Sequence, residues 1–476
     1  MIRLLPCVAL FLTLAAHAAD PPKNDPSAGP TVIRLAKQAK SPTRALAYHL
    51  IPDPLEAVEG DAARLWLRAG MNVRGVRHKW TEEEQKWIGG SGTPPGKLPR
   101  KEVDTLLLKY LPGLDLADRA ALRTRCHWDY PPLRMQTITT TLPMDEIQAM
   151  REVIRYISLR CRLELQEKNF GDARRSAQTG LTLARHLGDS DLMLQDLVGI
   201  AVASIVMGRL EEWVQTPESP NLYWALSELP RPLVGVRRSI RNELYTIDRS
   251  FPSLRDMRSR KLTEREAQQA YDRMLDAWTQ GTGQDAPPWM KGVARVAVIT
   301  TQYPAARKAL IAAGRSEKEV DAMPKIQAVT LASLDEYDRV RDEICKWLAV
   351  PAHQGLPEIE KITLREAAKE KEMLGFFLAM LSPAMSKVAQ AQTRLDRQIA
   401  GLRAAEALRQ HVADHGKPPA TWAELKGCPA PVDPYTGKGF DAFYKVVDGK
   451  GVLEILPVKG MPAILGRRYE VGPRGP

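Results

Sequence analysis

Residues 145–188 read DEIQAMREVIRYISLRCRLELQEKNFGDARRSAQTGLTLARHLG, and the spacing of their apolar side chains decides the fold. Ile147, Met150, Ile154, Ile157, Cys161 and Leu165 recur at three- and four-residue steps, which gathers them on one face of an α-helix. Asp145 is expected to cap that helix, its carboxylate accepting from the open amides of the first turn. The pattern breaks at Lys168-Asn169. Phe170, Ala173, Ala177, Leu181 and Ala184 then line a second helix, which Gly188 ends. The small side chains at 173, 177 and 184 let the two helices approach closely, so the segment reads as a helical hairpin.

The hairpin is similar to a tetratricopeptide unit, a repeat of about 34 residues. No second copy stands at that spacing, so one hairpin is expected and not a solenoid. Beyond it, about Asp191 to Trp213 is apolar nearly all round: Leu192, Met193, Leu194, Leu197, Val198, Ile200, Val202, Ile205, Val206 and Met207. Such a helix is usually a central, surrounded one. Gln195, Asp196, Gly199 and Ser204 interrupt it, which argues against a membrane span of about 20 apolar residues. A buried Asp196 must be paired or protonated. Structural pairing with an Arg is the expected account, with a functional carboxylate as the alternative.

Ser219-Pro220 is expected to open a further helix carrying Tyr223, Trp224 and Leu226 and stopped at Pro230-Arg231-Pro232. That aromatic pair is expected to pack in the core. A charged helix from about Pro232 into the 240s, helical sequence to Gln280, a linker from Gly281 to Pro288, and helices at Tyr303–Gly314 and Lys325–Leu348 follow.

On the N-terminal side, Met1-Ile2-Arg3 precedes an apolar run from Leu4 to Ala16, and Ala16-His17-Ala18 has the small-x-small form of a cleavage site. A run this short fits a secretion signal better than a membrane span. The chain is therefore expected to be exported, periplasmic or secreted, after cleavage near Ala18. Removing the signal removes Cys7 and leaves Cys126, Cys161, Cys345 and Cys428. They form no C-x-x-C pair, so a zinc knuckle or a thioredoxin-like site is unsupported. Disulfides and buried free thiols both stay open. The 68 basic and 57 acidic residues give a formal charge of +11. The arginines are interleaved with Glu and Asp along helices, as on solvated faces, so no nucleic-acid partner is expected.

The C-terminal part has another grammar. Met373 to Met385 is apolar, a long helix runs through Gln398, Leu402, Ala405, Leu408 and Val412 to Gly416, and Lys417-Pro418-Pro419 ends it. A short turn at Trp422-Ala423-Glu424-Leu425, then Asp433-Pro434-Tyr435-Thr436-Gly437-Lys438, precede strand candidates at Ala442–Val447, Val452–Leu456 and Arg468–Val471. This order resembles the globular part of type II secretion major pseudopilins, on Leu408, Gly416, Pro418 or Pro419, Leu425, Asp433, Pro434, Tyr435 and Gly437. The run from Phe376-Phe377-Leu378 to Met385 resembles the lower part of a pilin stalk. The prepilin cleavage motif is absent, so the resemblance implies architecture and not polymerisation. The whole chain also resembles a class of exported helical proteins of planctomycete-type bacteria, on Gly60-Asp61-Ala62-Ala63, Asn221-Leu222-Tyr223-Trp224-Ala225-Leu226 with Leu229-Pro230-Arg231-Pro232, and Tyr303-Pro304-Ala305-Ala306. That resemblance implies location and architecture and supplies no catalytic residue.

The fold expected is mainly α, a helical-hairpin or bundle body with a small C-terminal α+β module. Its parts are a signal at 1–18, a flexible leader at 19–43, a short-helix region at 44–140 and a helical domain at 141–350. A linker or helix at 351–372 and a long helix with a small antiparallel sheet at 373–476 complete it.

The motifs of chemistry fall short one by one. Gly89-Gly90-Ser91-Gly92-Thr93-Pro94-Pro95-Gly96-Lys97 suggests a phosphate loop, but Ser91 takes the first glycine's place and Leu98 that of the metal-binding hydroxyl. His411 and His415 have a zincin's spacing, yet Val412 replaces the general-base Glu. Cys126-His127 are neighbours whose side chains point apart. Arg237, Arg238 and Arg241 are expected to form a solvated face. No G-x-S-x-G, S-x-x-K, H-E-x-x-H or G-x-G-x-x-G occurs. No catalytic residue, metal or cofactor is assigned. The leading expectation is an exported scaffold that contacts proteins or an envelope surface. The alternatives are an exported hydrolase with an unrecognised site and an accessory component of a pilus-like secretion system.

Overall fold

The computed structural model describes residues 29–39, 44, 46–88, 93–128, 144–188, 190–245, 252–281, 288–367, 375–457 and 465–473. The signal expected at 1–18 and Gly89–Gly92 of the discarded phosphate loop lie outside the described residues. From the N-terminal side come β1 (Thr31–Arg34), β2 (Val58–Asp61), α1 (Ala63–Gly75), α2 (Glu82–Ile88), α3 (Arg100–Ala121) and β3 (Arg123–Arg125). The hairpin is α4 (Met144–Gln166) and α5 (Phe170–Gly188), followed by α6 (Met193–Trp213), α7 (Tyr223–Ser227), α8 (Arg237–Leu244), α9 (Pro252–Ser259) and α10 (Glu264–Gly281). Then come α11 (Pro288–Ala312), α12 (Glu317–Asp321), α13 (Lys325–Trp347), α14 (Ala352–Ala367) and α15 (Gly375–His415). Strands β4 (Tyr444–Val447), β5 (Lys450–Ile455) and β6 (Arg467–Val471) close the order.

The chain is mainly α, with a small sheet built largely from its C-terminal part. The hairpin stands as its sequence demanded. Lys168 turns the chain with φ 57°, and Asn169 N–H donates to Glu164 O at 2.8 Å, which closes α4. Asp145 lies inside the first turn of α4, since the helix starts at Met144; there it meets Arg74 at 3.3 Å in place of capping. α6 packs against both hairpin helices, and 78% of its most apolar window is buried, so its all-round apolarity belongs to a core helix. Gly199 permits that approach: a Cβ there would stand 2.8 Å from Ala184 O.

Five expectations need correction, the first being the helix expected at Tyr303–Gly314, which starts at Pro288 and ends at Ala312. The region 44–140 contains α3, a helix of 22 residues, because Pro112 is tolerated within it and Gly113 lets α1 come close, with Val73 Cγ2 at 3.0 Å from where a Cβ would sit. The leader expected at 19–43 contains β1, whose Ile33 is buried in the core. The sheet is mixed: its order is β1-β6-β5-β4, with β4, β5 and β6 antiparallel and β1 parallel to β6, Thr31 opposite Arg467. Ser219-Pro220 does not open a helix. Ser219 is fully buried, its hydroxyl donates to Trp213 O at 2.7 Å, and α7 starts only at Tyr223.

α15 is the spine. Its middle packs on α6 and α7, and its Gly401 lies against Ile455 of the sheet. One apolar cluster runs from Ile33 to Val471, through both hairpin helices, α6 and α15. A knot of buried charge sits on the same helix. Arg409 reaches the N-terminal segment at Ala36 O (2.8 Å), the α6–α7 turn at Ser219 O (2.7 Å) and Ser219 Oγ (2.6 Å), and Glu406 at 3.1 Å. Glu406 in turn accepts from Leu222 N–H at 2.8 Å and Asn221 Nδ2 at 3.1 Å. Burial raises the Glu406 carboxyl, against the pull of Arg409 and the Leu222 amide.

α11 is of another kind. Its inner side reaches the core through Val298 and Ile299 and joins Leu310 to a small second cluster with Val320, Ala328 and Leu331. Its outer side exposes Trp289 (69%), Val293 (62%) and Val296 (65%).

Candidate functional site

One set of converging polar side chains lies where α3, α4 and α5 meet, in a cleft of about 200 Å³. Arg160 and Glu164 stand one turn apart on α4, Ser176 and Thr179 one turn apart on α5, and Asp118 comes from α3. Arg160 forks onto Asp118 with bonds of 2.9 and 2.8 Å, and its Nε donates to Ser176 Oγ at 2.9 Å. The Ser176 hydroxyl donates to Glu164 Oε2 at 2.7 Å, and Thr179 Oγ1 donates to Asp118 Oδ1 at 2.8 Å. Burial pushes the Glu164 carboxyl up to about 7, against the pull of Arg160 and Ser176.

A carboxyl near neutrality that accepts from a serine hydroxyl has the form of a base with its nucleophile. The geometry favours a structural role: Ser176 is 1% exposed and its hydroxyl is already engaged with Glu164 and Arg160. The set pins three helices together. Sequence reading missed it because Asp118 lies far along the chain from Arg160, although the 160/164 and 176/179 spacings are visible in the sequence.

A second pair is open to solvent. Asp61, at the end of β2, accepts from Ala63 N–H (2.9 Å), His127 N–H (3.2 Å) and the His127 ring at Nδ1 (3.1 Å). Partial burial pushes the Asp61 carboxyl up, but these hydrogen bonds outweigh it and hold it below its ordinary value. The His127 ring is exposed while Cys126 is buried, so the neighbours do point apart. Asp61 holds the His127 ring through Nδ1, as an orienting carboxylate does, and the ring is mostly exposed. A wider cleft of about 620 Å³ between α2 and α3 has Trp87 and Leu106 on its floor and Glu84, Lys101 and Lys109 on its walls. Glu84 there is occupied by His78 at 2.9 Å and by the Thr81 amide at 2.8 Å.

The remaining candidates separate. Asp196 is buried on α6 and accepts from the Ser239 hydroxyl of α8. His411 and His415 stack face to face with ring centroids 4.1 Å apart, and His415 Nδ1 lies 3.1 Å from His411 O. Among the described residues no group of three His, Cys, Asp or Glu side chains converges as a metal site. Cys161 and Cys428 are buried thiols and Cys345 a half-buried one, and Cys126 is buried as well. Of the aromatic pair, Tyr223 is in the core and Trp224 is 42% exposed, so core packing holds for one of the two. Arg237, Arg238 and Arg241 lie on the exposed side of α8; Arg238 meets Asp191 at 2.6 Å and Arg241 covers the Tyr245 ring.

Compared with protein-family models, curated proteins and solved structures, the chain matches none.

Proposed function

We propose that this chain is an exported helical scaffold that works by contact with other proteins. The observation that carries the reading is the outer side of α11. Every described residue exposed between 289 and 305 is uncharged: Trp289, Val293, Val296, Ala297, Thr300, Thr301, Pro304 and Ala305. Solvated helix faces elsewhere in the chain carry charge, as α13 does at Glu336, Arg339 and Asp342. An uncharged helix face spanning more than four turns is a contact surface more than a water-facing one. The polar cleft supports the same reading, because its donors and acceptors are spent on one another. The signal-like residues 1–18 support export, and the pseudopilin-like order after Gly375 supports architecture borrowed from an envelope machine.

Site-specific photo-crosslinking in cells tests it, with the reactive residue at position 293 or, as a charged-face control, at Asp342. Protein adducts are expected from 293 and not from 342. Equal yields from both positions would remove the scaffold reading. The hydrolase reading has one observation in its favour, the Asp61–His127 pair. It predicts hydrolysis of an activated ester that His127→Ala abolishes and His186→Ala, at a buried ring, does not.

A further inference from the structure

We infer that the partner of the α11 face is the α11 face of a second copy of this chain, packed antiparallel about a two-fold axis at Ala297. The inference rests on the scaffold reading and names its partner. Its ground is the order of side-chain sizes along the face. Trp289 stands at one end and Pro304-Ala305 at the other, with Val293, Val296, Ala297, Thr300 and Thr301 between them. Positions 289 and 305 lie symmetrically about 297, as do 293 and 301. An antiparallel two-fold therefore lays each Trp289 on the small Pro304-Ala305 end of the other copy, about 24 Å along the helix at 1.5 Å per residue. Large meets small at both ends, and an isologous interface must satisfy that self-complementarity.

Charge agrees with size. Lys291 and Arg295 flank the face, and each is held by an acid of α10, Asp276 and Asp272. Arg307 is held by Asp321 at 2.7 Å. Of the described basic residues on α11, Lys291, Arg295 and Arg307 are thus each paired, and Lys308 lies beyond the face. The hydroxyls agree too. Thr300 Oγ1 donates to Val296 O at 2.8 Å and Thr301 Oγ1 to Ala297 O at 2.7 Å, which satisfies both within the helix and lowers the cost of burying them. A single helix pair falls at the low end of interface sizes, below about 1,200 Å², so the dimer is weak and depends on concentration.

Cysteine register mapping on the full chain tests this. Ala297→Cys is expected to give an intermolecular disulfide on mild oxidation. Val293→Cys alone is expected to give none, because its counterpart is Thr301 and the two 293 positions are about 12 Å apart along the axis. A mixture of Val293→Cys and Thr301→Cys is expected to cross-link. In sedimentation, Val296→Glu is expected to raise the dimer dissociation constant at least about tenfold while leaving the thermal melt unchanged, since Val296 is exposed. A chain that stays monomeric at all concentrations overturns the inference, as does self-cross-linking of Val293→Cys, which reports a parallel pair. Binding to phosphatidylglycerol vesicles without self-association overturns it in favour of a membrane surface. Cross-links from position 297 in cells that reach only other proteins overturn it while leaving the scaffold reading intact.

Discussion

The α15 knot and the outer face of α11 are inversions of each other. Around Glu406 and Arg409, charge sits fully buried, and apart from the bond within the pair its bonds reach segments distant in sequence, at Ala36, Ser219, Asn221 and Leu222. Along α11, apolar side chains face the water, and the nearby charges are turned inward onto α10 and α12. The first region uses charge as an address: only one arrangement of the N-terminal segment, the α6–α7 turn and the long helix satisfies Arg409. The second has no internal partner for its apolar surface, so its partner must come from outside. Burial alone would rank the first as core and the second as surface. What each group is paired with tells more.

The comparison breaks most sharply at Arg409. Arg409→Met strands the Glu406 carboxyl and removes the donor from Ala36 O and Ser219 O, so a loss of about 3–5 kcal/mol is expected. Urea unfolding measures it, and hydrogen exchange at residues 31–39 should rise more than in the hairpin. A loss below about 1 kcal/mol would mean that the knot is shape without consequence.

The second test is pH. The folded Glu164 carboxyl sits at about 7, above its ordinary value of 4.5. Folded protein therefore holds a proton there that the unfolded chain gives up. The stabilisation is fully present below about pH 4.5 and is lost as pH rises towards 7, by up to about 3 kcal/mol. Burial pushes Asp396, on α15, up to about 7 with the same sign. Melting temperatures across pH 4.5–8 should fall less steeply in Glu164→Gln than in the parent. Unchanged steepness would remove Glu164 as a source.

Gly199→Ala probes packing with no charge involved. Its Cβ would meet the backbone oxygen of Ala184, which cannot swing aside, and a cost of about 1–3 kcal/mol is expected in thermal unfolding. The smallest effect belongs to α11. Trp289→Ala at low protein concentration should change stability by no more than about 0.5 kcal/mol, since its ring is 69% exposed. A larger loss would mean that the face already has an internal partner.

Local sequence carried the helices because the three- and four-residue period is itself local. The hairpin, the central α6 and the strands near 444, 452 and 468 all stand within a few residues of their expected places. β1 was hidden because Thr31-Val32-Ile33-Arg34 is short, sits among Gly, Pro and Lys, and becomes a strand only through β6. The length of α3 was not legible in the expected short-helix region, because Pro112-Gly113 lies in its middle and fits a helix only with α1 lying alongside. The Asp118–Arg160–Glu164–Ser176–Thr179 set could be half read, because two of its spacings are helical and the third is a tertiary contact. The α11 face was invisible for another reason: its sequence is apolar on both sides, and only packing shows which side was left out.

The parallel pairing of β1 with β6 also sets a timetable. Thr31 is among the first described residues a ribosome makes, and Arg467 among the last. Until β6 exists, β1 has no ladder to join, and closing so long a loop is slow relative to forming the helices between. The sheet therefore closes late, only once β6 is available to receive β1.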